Sequence, residues 1–464
     1  MIPKVKHESI SDKLVEIKGL KSQSPLVEKM IDVLLLPKGT TMITCDQMPM
    51  KGYALRIDES VHIDYNKESD LFYGLITLKN YLGKSIASRV IEDYPDYKYR
   101  GLMLDVARHF YDIEELYKIV DICSELKMNK FHIHLTDDQG WRFESKKFPK
   151  LHLHGSYRPN TKRRFKTYNT PVSGYYSQSD LRDLVIYAKE RFVEIIPEID
   201  LPGHMMAGIS SYPQWSCEKN PVAVSNRFGI FDTILCAGSQ KTMNDMFTLV
   251  DEVIDVFNCR SIHIGCDEAP LKKWATCQTC QTYMKEKGLV SSKDLFLDFI
   301  ERIKSHVRKK DVEVIIWNDP LKHGRIEDVT VQHWMNRKIT MENGRSNPLI
   351  ISDFFHHYFD YPIYMTPLKK TYDKVLDHPN IIGIEGCLWT EHMPTINKVH
   401  DMMFPRIYAI SELAWGGGDY EDFEERVKSL GSYDVGKSGL VSTVKSLFYM
   451  VSTVSVNDIF NSLK

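Results

Sequence analysis

From Arg100 onward the chain repeats one pattern eight times: a short apolar segment of strand type, then a longer stretch. The strand segments are Gly101–Asp105, Lys130–Thr136, Glu194–Ile199, Ser261–Gly265, Val312–Asn318, Val329–Trp334, Leu349–Ser352 and Ile381–Leu388. Amphipathic stretches between them include Ile113–Lys127, Ser179–Arg191, Thr242–Phe257 and Lys293–Lys309, with apolar residues at helical spacing. A helical crossover lets consecutive strands run parallel. Eight such units predict an α/β fold, a (β/α)8 TIM barrel.

At 464 residues the chain exceeds the roughly 250–300 at which single cores stop growing. A second unit is therefore expected, and residues 1–95 read as a small α/β domain ahead of the barrel at 96–464. Gly52–Asp58 and Ser60–Asp64 alternate like paired strands, and Asp70–Leu82 has helical spacing. Glu92–Tyr99, with Pro95 and several charges, reads as the linker. Residues 416–464 read as a closing helix and tail.

The formal net charge of −2 argues against nucleic acid as a partner, since a phosphate backbone demands a basic excess. Met1–Lys13 is polar, and no apolar run is long enough to span a bilayer, so a cytoplasmic chain with no membrane partner is expected. Nine cysteines, an odd number, suit reduced thiols. Cys277 and Cys280 form a C-x-x-C pair, but Cys259 and Cys266 do not complete a metal-ligand spacing, so no metal is expected.

A TIM barrel places functional side chains just after its strands. Those positions hold Arg108, Asp137, His204, Asp267, Glu268, Trp317, Trp334, Tyr358, Trp389 and Glu391. Loops are polar in any barrel, but solvation does not place tryptophans there. Indole faces stack on the apolar faces of sugar rings, so a carbohydrate site is favoured. The run Ser261-Ile-His-Ile-Gly-Cys-Asp-Glu268 ends in adjacent carboxylates. On an extended chain these point to opposite faces, which predicts two different jobs. His132–Arg142 and Pro197–His204 also deliver acids and a histidine to strand ends. Taken singly, each of these is more often a solvated end or a structural histidine.

Together they resemble the family-20 glycoside hydrolases, the β-N-acetylhexosaminidases. The matching segments are Tyr99–Phe110, the His132 run, Pro197–His204, His263–Glu268, Ile384–Glu391 and Pro405–Trp415, in the family's order. Leu71–Leu78 resembles the α/β domain that precedes that family's barrel. The resemblance implies Glu268 as general acid/base and Asp267 as the carboxylate orienting the substrate's 2-acetamido group. That group is the nucleophile, an exception to the two-carboxylate scheme. It further implies that Tyr358 bonds the acetamide oxygen and that Trp317, Trp334 and Trp389 wall the sugar. Arg108, Asp360 and Glu391 would bind outer hydroxyls, and Asp137 with His204 would lead to the acid.

The implied partner is a glycan with a terminal β-N-acetylhexosamine, without cofactor, and a homodimer is compatible with this. N-acetylglucosamine versus N-acetylgalactosamine stays open, as does release of a disaccharide instead of a monosaccharide. A silent glycan-binding barrel would have lost an acid, and a glycosidase with its own nucleophile would leave the acetamide set unexplained. The family usually has glycine where this chain has Cys266.

Overall fold

The computed structural model of the protein describes residues 1–163 and 166–430. At its centre eight parallel strands close into a barrel. They are β1 (Tyr99–Asp105), β2 (Lys130–His134), β3 (Glu194–Leu201), β4 (Ser261–Gly265), β5 (Glu313–Trp317), β6 (Thr330–His333), β7 (Leu349–Ile351) and β8 (Ile381–Leu388). Each pairs with the next along the chain, and β8 closes onto β1 from Gly383↔Tyr99 to Leu388↔Leu104. The strands are rich in buried apolar residues because helices cover one face and the barrel interior the other, although β2, β3, β4 and β6 also bury His132, His134, Glu198, His263 and Gln332.

Four long helices follow the first four strands: α1 (Ile113–Glu125), α2 (Gln178–Glu190), α3 (Gln240–Phe257) and α4 (Ser292–Val307). Capping boxes start two of them. Ser177 accepts from Asp180 N while Asp180 accepts from Ser177 N, and Ser291 and Asp294 repeat the exchange. In α3 the buried Met243, Met246, Val250, Val253 and Phe257 recur at three- and four-residue steps.

The alternation thins on the far side. Only the four-residue turn Asp319–Lys322 lies between β5 and β6, and only short helical turns separate β6, β7 and β8. Regular alternation resumes with α5 (Arg406–Trp415).

The N-terminal unit is a six-stranded sheet with helices Pro25–Val33 and Glu68–Lys79. Its Tyr53–Ile57 and Val61–Tyr65 pair antiparallel. The linker is shorter than expected. Strand Ser85–Asp93 consumes Glu92 and Asp93, and β1 begins at Tyr99, leaving 94–98. The charge read as a linker signal is in fact buried. The Asp93 carboxylate accepts from Tyr53 Oη (2.7 Å), Trp415 Nε1 (2.8 Å) and Lys127 Nζ (2.9 Å), joining sheet, α5 and the end of α1. After α5, helix Tyr420–Ser429 packs Phe423 and Val427 against Ile2, Leu368 and Tyr372. The rest of the expected tail, 431–464, lies outside the described residues.

Candidate active site

The site begins where β4 stops being a strand. Gly265, Cys266 and Glu268 take left-handed backbone, with φ of 64°, 76° and 46°. Gly265 is required there, because a Cβ would lie 1.9 Å from Asp200 Oδ1. That carboxylate oxygen accepts from Cys266 N at 3.2 Å, which pins the turn. The extended-chain argument for the two acids therefore fails. The turn brings both carboxylates to one histidine, with His204 Nε2 3.5 Å from Glu268 Oε2 and 3.9 Å from Asp267 Oδ2.

His204 enters from the turn that follows β3, itself left-handed at φ 50°. Its Nδ1 lies 3.3 Å from both Asp137 Oδ1 and Asp138 Oδ2. Burial disfavours the charged imidazole, but Asp137, Asp138 and Glu268 outweigh it and raise the His204 pKa well above the ordinary histidine value. Asp137 is the converse case. Against burial, Arg108, His204 and His134 hold its pKa well below the usual carboxylate range.

Arg108 Nη2 donates to Asp137 at 2.7 Å and stands 3.8 Å from Glu391 Oε1. Its Nε donates to Gln139, and its guanidinium lies 5.1 Å from the Trp389 ring centre. Asp360 feels the field of Glu391, and burial raises both carboxyls. Beside them Trp317 and Trp389 approach to 5.8 Å, and Tyr358 lies 6.1 Å from both Trp389 and Trp334, nearly parallel to the latter. The three tryptophans and Tyr358 thus form one aromatic box, continuous with Asp267, whose charge reaches Tyr358. All the residues singled out in the sequence accordingly fall in one connected region at the C-terminal mouth.

Asp267 occupies the seam between acids and aromatics. Its side chain is half-buried, but its Oδ1 is buried with no hydrogen-bond partner, and its pKa is pushed up to about 7. Burial is the main cause, reinforced by Asp319, Glu198 and Glu268 and opposed by His204. Asp319 had not been singled out. It accepts from Glu268 N at 3.4 Å and from Trp334 Nε1, tying the β4 turn to the tryptophan after β6. It stands two residues beyond Trp317, so the strand-end rule could have found it.

A second omission lies inside the barrel. Glu385 accepts from Tyr99 Oη (2.5 Å) and Gln332 Nε2 (2.6 Å) and pairs with His132 Nδ1 (2.9 Å). His132 Nε2 reaches Glu198 at 3.1 Å, and Glu198 also holds His134, His263 Nδ1 (2.9 Å) and Trp317 Nε1 (2.9 Å). His134 Nε2 then meets Asp137 at 3.0 Å. A row of alternating acids and histidines thus runs from Tyr99 to His204 and the catalytic mouth. Within it the carboxylates raise His132 to about 9 despite burial. The available signal was His132-Ile-His134, two histidines at strand period in an otherwise apolar run.

Cys266 is fully buried, and its thiol points toward the Ile264 carbonyl 3.5 Å away. Burial and the nearby carboxylates push the thiol well up, which disfavours the reactive thiolate. A non-glycine residue at this φ costs roughly 1–2 kcal/mol. Cys266→Gly should therefore keep the melting temperature close to wild type or raise it. Cys266→Ala, which keeps the strain and loses the sulfur, should melt lower, and β-branched Cys266→Val lowest. Differential scanning calorimetry reads the order, and a glycine variant melting below the alanine one would refute the strain.

With this geometry in view, comparison with known proteins is informative. A family model described as the glycosyl hydrolase family 20 catalytic domain matches residues 97–417. A β-hexosaminidase of Porphyromonas gingivalis is 32% identical over 82% of this chain and 53% of its own length. One from Vibrio furnissii is 27% identical over 81% of this chain and 65% of its length. The chain thus spans between about half and two thirds of these curated relatives. Among solved structures, a GH20 exo-β-N-acetylglucosaminidase of Vibrio harveyi superposes with a TM-score of 0.82 at 26% identity, covering 92% of this chain and 76% of its own. A β-N-acetylhexosaminidase of Bacteroides fragilis gives 0.81 at 26%, covering 92% and 94%.

Proposed function

The chain belongs to glycosyl hydrolase family 20, and on that premise we propose that it is a retaining, exo-acting β-N-acetylhexosaminidase. It releases terminal β-linked N-acetylglucosamine or N-acetylgalactosamine by substrate-assisted catalysis. The observation that carries this is the buried, unpartnered Asp267 Oδ1 beside Tyr358 in a box of tryptophans.

An acetamide offers one N–H donor, one carbonyl acceptor and a methyl group. The site offers a carboxylate acceptor, a phenol donor and aromatic walls, so the two inventories match. Held this way, the acetamide oxygen attacks the anomeric carbon while Glu268 protonates the leaving oxygen. Positive charge growing on the acetamide nitrogen is balanced by Asp267. The cyclic oxazolinium intermediate is then opened by water that Glu268 deprotonates, restoring the β configuration. Arg108, Asp360 and Glu391 bind the outer hydroxyls and close the pocket behind one terminal sugar in this reading.

An enzyme nucleophile is disfavoured by the same geometry. Asp137 is engaged by Arg108, His134 and His204, which leaves it neither free nor directed at substrate.

The test compares nitrophenyl β-N-acetylglucosaminide with the matched β-glucoside. Intramolecular nucleophiles reach effective molarities of about 10⁵–10⁸ M, so loss of the acetamide should lower kcat/KM at least about 10³-fold. A thiazoline mimic of the cyclic intermediate should inhibit strongly. Comparable rates on the two glycosides would overturn the reading.

A further inference from the structure

Four cysteines distant in sequence meet beside the catalytic loops. Cys217 and Cys236 lie in the excursion between β3 and α3; Cys277 caps helix Gln278–Lys287, and Cys280 stands in its first turn. Their Sγ atoms are all within 4.8 Å of one another. The measured separations are 3.8 Å for Cys217–Cys280, 3.8 Å for Cys236–Cys277 and 3.7 Å for Cys236–Cys280. In a tetrahedral Zn–S4 centre with bonds of about 2.3 Å, neighbouring sulfurs stand about 3.8 Å apart.

We propose that these four cysteines form a structural zinc site that fastens the loop after β3 to the loop after β4. Searching for a second ligand pair at Cys259 and Cys266 missed it, because Cys236 lies 41 residues before Cys277 and Cys217 earlier still. Only the fold brings them together.

Three features support a metal over disulfides. A disulfide selects pairs with sulfurs about 2.05 Å apart. Here Cys236 and Cys280 each stand at nearly equal distances from two partners. The backbone is also arranged around the sulfurs. Gly238 has no room for a side chain, since a Cβ would lie 2.6 Å from Cys280 Cα. Finally, the two loops are already laced together here. Trp274 Nε1 donates to Leu235 O at 2.8 Å, and Lys273 Nζ pairs with Glu218 at 2.5 Å.

The loop after β3 carries His204, and the loop after β4 carries Asp267 and Glu268. The clamp therefore sets the mutual position of the acid and its histidine from outside the pocket. Zinc binding displaces the thiol protons to solvent and leaves a four-thiolate centre of charge −2.

The test is metal analysis of the full chain, purified under reducing conditions without chelator. Wild type should carry about one zinc per chain, and the Cys236→Ser/Cys280→Ser variant less than about a tenth of that. Should the variant fail to fold, a mercurial titration of native wild type should release one zinc in step with four modified thiols. Zinc-free wild type would overturn the site, whether its mass shows two disulfides or its four thiols alkylate freely. None of these readings depends on which glycoside the protein cleaves.

Discussion

Glu268→Gln should slow turnover of a natural disaccharide by a factor of about 10²–10⁴, the usual worth of a positioned general acid. A sugar leaving group departs as an alkoxide unless it is protonated, and glutamine cannot protonate it. A dinitrophenyl leaving group needs no proton, so formation of the intermediate from such a substrate should suffer far less. Its breakdown still requires activated water, so the variant should accumulate the intermediate and show a pre-steady-state burst. The side chain is 32% exposed and its carboxylate stands 3.5 Å from His204 Nε2. Near-native turnover of the disaccharide by Glu268→Gln would remove Glu268 from this role.

Asp267→Asn should behave differently although it alters the neighbouring residue. If Asp267 orients the acetamide and balances charge on its nitrogen, the rate should fall by a factor of about 10²–10³ even with an activated leaving group, as for loss of one preorganised electrostatic partner. Azide needs no general base, so it should rescue Glu268→Ala and give a β-glycosyl azide, while leaving Asp267→Ala nearly unrescued. Equal rescue of both, or an α-configured azide read by NMR, would mean the roles are misassigned.

The same substitution has an opposite effect on stability. A carboxyl raised from 3.8 to about 7 by folding stabilises fully only below its unfolded value, and that contribution is lost as pH rises to about 7. Asp267→Asn should therefore gain melting temperature over wild type progressively between about pH 4 and about pH 7, then hold a constant advantage. Wild-type Asp267 is retained at a cost to the fold, as functional carboxylates often are. A pH-independent difference in melting temperature would contradict this account.

The barrel was legible because β strands buried on both faces are mostly apolar runs, and Leu349–Ile351 leaves little other choice. Its mouth was legible because the rule that function sits after the strands needs only the strand ends. What stayed hidden required coordinates. Asp93 read as a solvated linker charge because nothing local reveals that Lys127 and Trp415 close over it. The shared orientation of Asp267 and Glu268 depends on left-handed backbone at Cys266, a residue that does not advertise such a φ. Glu198 and Glu385 stayed hidden because only the fold shows the histidine, tyrosine, glutamine and indole donors that make a buried acid tolerable. Cys217 and Cys236 carry no local motif at all.

The row of acids and histidines from Glu385 to His204 has a consequence for how this protein can change over generations. Each member's charge is set by the neighbours on both sides, so no member can drift alone. Losing His132 would leave Glu385 a buried anion without its cation, and losing Glu198 would take a partner from three imidazoles and an indole N–H at once. Replacing an acid and its histidine together should therefore cost less than replacing either alone. The loops around the mouth carry no such coupling and can accept change one residue at a time.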